Sequence, residues 1–377
     1  MFFKLLKDAL KVKNVRNKIL FTIFIIFVFR VGTHVTVPGI NAESLKQLSD
    51  LPFLNMLNLV SGNAMNNFSI FSMGVSPYIT ASIIVQLLQM DIYPKFVEWG
   101  KQGEVGRRKL NQATRYITLV LAFVQSIGIT ASFNTLSSIS LVKTPNVSTY
   151  LLIGTILTAG SIIVTWLGEQ ITDKGFGNGV SMIIFSGIIA SIPKMFSTIY
   201  EDFFVNVRSG ELTRSYIIVA LLIVVGLAIV FFTTFVQQAE YQIPIQYTKL
   251  VQGAPTSSYL PLKVNPAGVI PVIFASSITT IPSTILPFFS KVTWLSHLQG
   301  LLSYNTPSGM IIYAILIILF SFFYTFVQVN PEKTAENLQK NGSYIPSVRP
   351  GRETEKYMSS LLKRLATIGA VFLAFIS

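Results

Sequence analysis

Long stretches without one charged side chain recur along this chain: Leu51–Met90, Tyr116–Val142, Thr144–Gly168, Ser215–Ala239, Asn265–Ser290 and Thr306–Val329. At about 1.5 Å per helical residue, each can cross a hydrocarbon layer of about 30 Å. Gly175–Pro193 is close to the minimum length, and Ile19–Val35 spans if Arg30 is tolerated. The gaps between these runs differ in charge. Residues 1–18, 91–115, 168–179, 237–264 and 328–364 hold 22 of the 29 Lys and Arg, whereas 36–69, 133–149, 193–214 and 290–305 hold 6. Cytoplasmic loops attract Lys and Arg, so the first set faces the cytoplasm, and the amino terminus with it. The chain is expected to be an all-α polytopic membrane protein.

Composition narrows the function classes. Half the residues (51%) are hydrophobic and only 12% are charged, which a soluble domain of this length would not tolerate. The net charge of +13 flanks the spans, so it reads as topology signal and attraction to anionic lipid rather than as a nucleic-acid surface. With no cysteine, disulfides, thiolate nucleophiles and Cys-based metal sites are excluded; with only His34 and His297, so is a His-rich metal site. The first apolar run lacks a small-residue cleavage site and leads into further spans, so no cleavable signal peptide is expected. After Arg364 only 13 uncharged residues remain, about 20 Å of helix, which reads as a ninth span cut short.

Residues 1–18 alternate apolar and basic at helical spacing, as in an amphipathic helix lying on the cytoplasmic surface. An external turn is expected at Val37-Pro38-Gly39. Leu51–Met90 holds twice the residues one crossing needs, and its first half is studded with Asn, Ser and Gly. Lipid penalises such polarity and irregular backbone, so this half is expected to lie inside protein or along a cavity, or else to form an external loop with a short interfacial helix. Gly154, Gly160 and Ser161 allow close helix approach. Pro77 in span two and Pro271, Pro282 and Pro287 in span seven hint at an inverted repeat around a central path. Two cytoplasmic loops, 237–264 and 328–357, are long and keep Pro, Tyr and apolar residues, making them candidate docking surfaces.

Site chemistry is sparse. The spans offer no carboxylate or histidine relay, which disfavours an ion-coupled solute transporter, and no nucleophile–base pair, which disfavours a membrane-embedded hydrolase. The chain is therefore not expected to be an enzyme or to carry a cofactor or metal. Arg30 lies close enough to the outer end of its run to snorkel. The glycines of Gly175–Gly179 lack the strand and Lys-Ser/Thr ending of a phosphate loop and read as a tight helix-entry turn. A ring of branched aliphatic side chains on broken helices could block ions yet yield to a larger object.

Specific blocks then carry a resemblance. Phe71–Leu88 (FSMGVSPYITASIIVQLL), Gly103–Lys109 (GEVGRRK), Trp166–Gly179 (WLGEQITDKGFGNG), Leu260–Pro271 (LPLKVNPAGVIP), Asn330–Leu338 (NPEKTAENL) and Ile345–Gly351 (IPSVRPG) together resemble the SecY family, in order, from about Lys18 onward. The resemblance implies two inverted five-helix halves, here 19–193 and 194–377, with about nine helices present and the tenth missing. It implies a protein-conducting channel of the bacterial cytoplasmic membrane. Unfolded secretory chains pass across it, and membrane segments leave it sideways.

The same resemblance implies residue roles. Val75, Ile79, Ile184 and Ile273 match pore-ring positions. Residues 53–66 match the plug, with Phe53, Leu54, Met56, Leu57, Leu59, Val60, Ser61 and Gly62 its characteristic side chains. Thr80, Ile83, Gln125, Asn265, Ser277 and Ile281 match the lateral gate, where hydrogen bonds from Asn265 to Thr80 or Gln125 would favour closure. Lys249, Arg349, Pro350, Gly351 and Arg352 match the docking surface for the SecA motor ATPase and the ribosome. SecE and SecG subunits, signal peptides and anionic lipids complete the implied partners, with no direct nucleic-acid substrate beyond contact with ribosomal RNA. One departure stands out: Tyr241-Gln242 occupies a place where many relatives carry paired arginines.

Overall fold

The computed structural model describes residues 11–41, 61, 64–89, 93–136, 142, 145–205, 212–247, 257–285 and 306–377. Among the described residues eleven α-helices dominate: α1 Lys13–Gly32, α2 Ser76–Leu87, α3 Pro94–Lys101, α4 Gly103–Leu136, α5 Val147–Lys174, α6 Gly179–Tyr200, α7 Leu212–Gln238, α8 Ile270–Ile285, α9 Pro307–Gln328, α10 Pro331–Lys340 and α11 Arg352–Ile376. Each of the nine expected spans coincides with a helix. Among the described residues, six helical stretches are long and apolar enough to cross a membrane: Gly103–Ala131, Val147–Lys174, Gly179–Val205, Thr213–Gln238, Pro307–Lys340 and Arg352–Ile376. The others fall short for separate reasons: α1 carries Lys13, Arg16, Lys18 and Arg30, and α2 and α8 are shorter. The last helix begins inside the expected cytoplasmic loop and so reaches 25 residues, longer than its uncharged portion.

Local chemistry sets the helix starts. Asn178, Thr306 and Asn330 each cap a helix by accepting a backbone N–H from Ser181, Gly309 and Lys333. Pro307 and Pro331 follow two of these caps, where a missing N–H costs nothing.

Two compact units emerge, Met1–Val205 with Thr280–Ser296, and Asn206–Thr279 with His297–Ser377. In the first, Val37, Met65, Phe68, Met73, Ile129, Ile153 and Leu157 form a buried cluster. In the second, the long loops fold into a sheet of order β2-β1-β3, with β1 Glu240–Tyr247, β2 Ser257–Lys263 and β3 Ser343–Tyr344. β1 and β2 pair antiparallel with Ile243 opposite Leu260. Ile243, Leu262, Ile345, Met358, Leu362 and Leu365 then bury together, which fastens both loops to α11.

Candidate functional site

In the first unit the site begins with a buried irregular segment. Residues 64–75 run without regular helix into α2, yet Ala64, Met65, Phe68, Phe71, Met73 and Val75 are all buried. Irregular backbone at membrane depth survives only when its polar groups are paired inside protein. Here Val37 N–H donates to Phe68 O (3.1 Å) and Ile70 N–H to Val35 O (2.9 Å). Ser161 Oγ on α5 donates to Gly74 O (3.0 Å). Small residues admit the segment: a Cβ on Gly160 would collide with the Ile70 carbonyl, and one on Gly32 with the Phe71 ring. Gly160 therefore accommodates this segment, whereas Gly154 serves helix approach, facing Ile127 and Ser126 of α4.

This scaffold fixes the start of α2. Val75 is its N-cap residue and fully buried, Pro77 sits in its first turn, and Ile79 follows one turn later at 8% exposure. Thr80 and Ile83 on the same helix are buried as well, and Thr80 Oγ1 donates to Ser76 O (3.2 Å). Gln125 lies half-buried on α4, and Ile184 half-buried on α6. The turn Gly175–Gly179 joins α5 to α6: Gly177 has φ +76°, and a Cβ on Gly179 would strike the Gly168 carbonyl.

The second unit carries Asn265, Ile273 and Ser277. Asn265 is 5% exposed in the turn before α8; its Nδ2 donates to Gly268 O (3.2 Å), and its buried Oδ1 has no partner among the described residues. An unpaired buried acceptor costs about 1–3 kcal/mol. One turn apart on α8, Ile273 is half-buried and Ser277 Oγ donates to its carbonyl (2.8 Å). Phe274 holds α8 to α9 through edge-on contacts with Phe320 and Tyr324 at 5.8 and 5.9 Å. Ile281 lies on the same helix.

Of the docking residues, Arg349, Pro350 and Arg352 are exposed at the start of α11. Gly351 has φ +95°, a conformation open to glycine, and Thr354 Oγ1 donates to Arg349 O (2.9 Å), pinning the loop to the first helical turn. Tyr241 and Gln242 lie exposed on β1. Lys249 and the plug candidates Phe53, Leu54, Met56, Leu57, Leu59, Val60 and Gly62 lie outside the described residues; Ser61 is buried at 2% exposure. Among the described residues no cluster of His, Asp or Glu is arranged to hold a metal ion.

Two polar ties escape a reading of the sequence. Arg115 on α4 grips Glu169 on α5 with two bonds, 2.9 and 2.6 Å. Arg30, rather than reaching outward, donates from Nη2 to the Ser186 carbonyl on α6. Nothing in residue spacing marks either pair, because their members stand 54 and 156 positions apart.

The helical scaffold is that of protein-conducting channels. A solved protein-conducting channel superposes with TM-score 0.63 at 15% identity, covering 96% of this chain and 84% of that one. Sec61 in the canine ribosome-channel complex from the endoplasmic reticulum gives 0.60 at 14% identity, covering 96% and 84%. The SecY family model matches residues 69–377. The protein translocase subunit SecY of Streptococcus gordonii is 72% identical, covering all of this chain and 87% of that protein; that of Bacillus subtilis is 50% identical, covering all and 88%. The chain belongs to the SecY family.

Proposed function

We propose that this multi-pass membrane protein is the channel subunit of a protein translocase, passing unfolded secretory chains across the bacterial cytoplasmic membrane and releasing membrane segments sideways. The observation that carries the reading is 72% identity over the whole chain to a translocase subunit. The buried segment 64–75 supports it physically, because it plants Val75 and Ile79 at membrane depth on a rigid helix start.

Val75 and Ile79 on α2, Ile184 on α6 and Ile273 on α8 form an aliphatic ring that resists ions and water and parts for polypeptide. Residues 53–66 act as its plug. Asn265 and Ser277 act with Thr80, Ile83, Gln125 and Ile281 as the lateral gate. The unpaired Asn265 Oδ1 supports this, since a donor supplied in one gate state and withdrawn in the other biases the equilibrium. The chain works as a channel rather than a catalyst. Its driving partners, SecA or the translating ribosome, dock on Arg349–Arg352 and Lys249, with SecE and SecG alongside and the amino terminus in the cytoplasm.

Replacing Ile79, Ile184 and Ile273 together with Ser tests the ring. Ion conductance of the complete translocase in planar bilayers should rise, and unchanged conductance would remove these residues from the seal. Asn265→Leu tests the gate: tolerance for defective signal sequences should shift, and unaltered tolerance would argue against it.

A further inference from the structure

We propose that Arg30 is a positioning residue for the ion seal, holding α6 so that Ile184 stays in the ring; this rests on the ring reading above. Helix α1 meets α6 and its entry turn through polar ties at two levels. At its middle, Thr22 Oγ1 accepts the Phe176 N–H (3.0 Å) while donating to Lys18 O (2.9 Å). Two turns further on, Arg30 Nη2 donates to Ser186 O. Thr22 and Arg30 stand about 12 Å apart along α1, and their partners stand ten residues apart in the same direction, so two parallel elements are pinned at both ends of a common stretch. Besides its packing on α5, where Gly179 N–H donates to Thr172 Oγ1 (2.9 Å), a single tie would leave α6 freer to rotate against α1. Two ties fix both its rotation and its height.

Ile184 falls inside the pinned stretch, two residues before Ser186 and therefore about 200° around the helix from it. The outer pin sits where α6 leaves the protein interior: Ile183, Ser186 and Gly187 are buried, whereas Ile188, Ile189 and Ile192 are exposed. Just beyond, Pro193 removes the N–H that would have bonded the Ile189 carbonyl, so the helix weakens there. Without the Arg30 tie, no other polar contact among the described residues joins that end of the stretch to α1. The chemistry of the donor matters. A guanidinium in an apolar segment is strongly driven to keep a hydrogen-bond partner, which makes it a more persistent clamp than a neutral side chain. The ring of Phe29, 5.7 Å below the Arg30 guanidinium carbon and stacked on Phe71, steadies its direction.

The test compares Arg30→Lys, Arg30→Gln and Arg30→Met in the complete translocase, reading ion conductance in planar bilayers and export of a secretory substrate. Conductance should rise several-fold in Arg30→Met, less in Arg30→Gln, and stay near the parent value in Arg30→Lys, with export retained in all three. Joining Arg30→Met to Ile184→Ser should add little leak beyond Ile184→Ser alone, because both act through one side chain. Parent-level conductance in Arg30→Met and Arg30→Gln, with Ile184→Ser leaking, overturns the role of Arg30 and leaves the ring intact. A tight Ile184→Ser channel overturns the ring reading itself, and the inference with it. If Arg30→Met does not accumulate, Arg30→Gln decides: a raised conductance upholds the clamp and a parent-level one overturns it.

Discussion

Helices α5 and α7 are both long enough to cross a membrane, yet they live in opposite surroundings. More than half of the most apolar stretch of α5 is buried within the protein, and none of that of α7 is. The more hydrophobic helix is the exposed one: mean hydropathy is 3.0 for α7 and 1.9 for α5. In a bilayer greasiness does not drive a helix inward, because lipid is as apolar as leucine; close backbone approach and hydroxyl bonds do. Helix α5 buries Gly154, Thr158, Gly160, Ser161, Thr165 and Gly168. Helix α7 exposes Leu221, Val224, Leu227, Phe231 and Phe235. Small and hydroxylated residues, rather than hydropathy, mark which of these two spans packs into the protein interior.

The comparison is open to attack by substitution. The largest effect is expected from Gly160→Leu, whose side chain would be driven into the Ile70 carbonyl. It should destabilise the purified translocase by about 3 kcal/mol or more, read as a large loss of thermal stability. A tolerated Gly160→Leu would remove the basis for the contrast. Next comes Arg349→Glu, an outward-facing residue like those of α7, whose effect should pass through a partner. SecA-driven export should fall about tenfold while thermal stability holds, and lipid insertion of membrane segments should suffer less. Equal losses in both processes would contradict a docking role. Ser161→Ala removes the buried bond to Gly74 and should cost about 1 kcal/mol. Thr233→Val on α7, whose hydroxyl merely bonds its own helix at Ile229 O, should cost nothing measurable. Smallest of all, Gly226→Leu on α7 meets open space and should leave stability unchanged or raise it by up to about 1 kcal/mol through helix propensity.

Much of this architecture was legible in the sequence because the bilayer imposes a length rule. Uncharged runs coincide with nine of the eleven described helices; the other two, α3 and α10, are short and charged. The small sheet was not foreseen. Its two main strands carry Pro244 and Pro261, which ordinarily argue against strands. Both are tolerated because β2 is an edge and β1 is paired by β3 only from Gln246 onward. The reach of α11 was underestimated because its first turns are charged, with Glu353 and Glu355 favouring a helix amino terminus that a hydropathy reading discards.

The candidate site was legible only through family motifs. Aliphatic residues such as Ile79 and Ile184 look like any packed isoleucine until a fold places them. Arg30 illustrates the converse: its charge is conspicuous, but it bonds a backbone carbonyl on α6, which carries no signature in the residue types.

The central claim is that polypeptide travels past the aliphatic residues of α2, α6 and α8. Because the chain has no cysteine, single replacements report cleanly. Cysteine at Val75, Ile79, Ile184 or Ile273 should crosslink to a secretory chain stalled in transit, while cysteine at the outward-facing Phe231 of α7 should not. Crosslinking at Phe231 with none at the four ring positions would contradict the account.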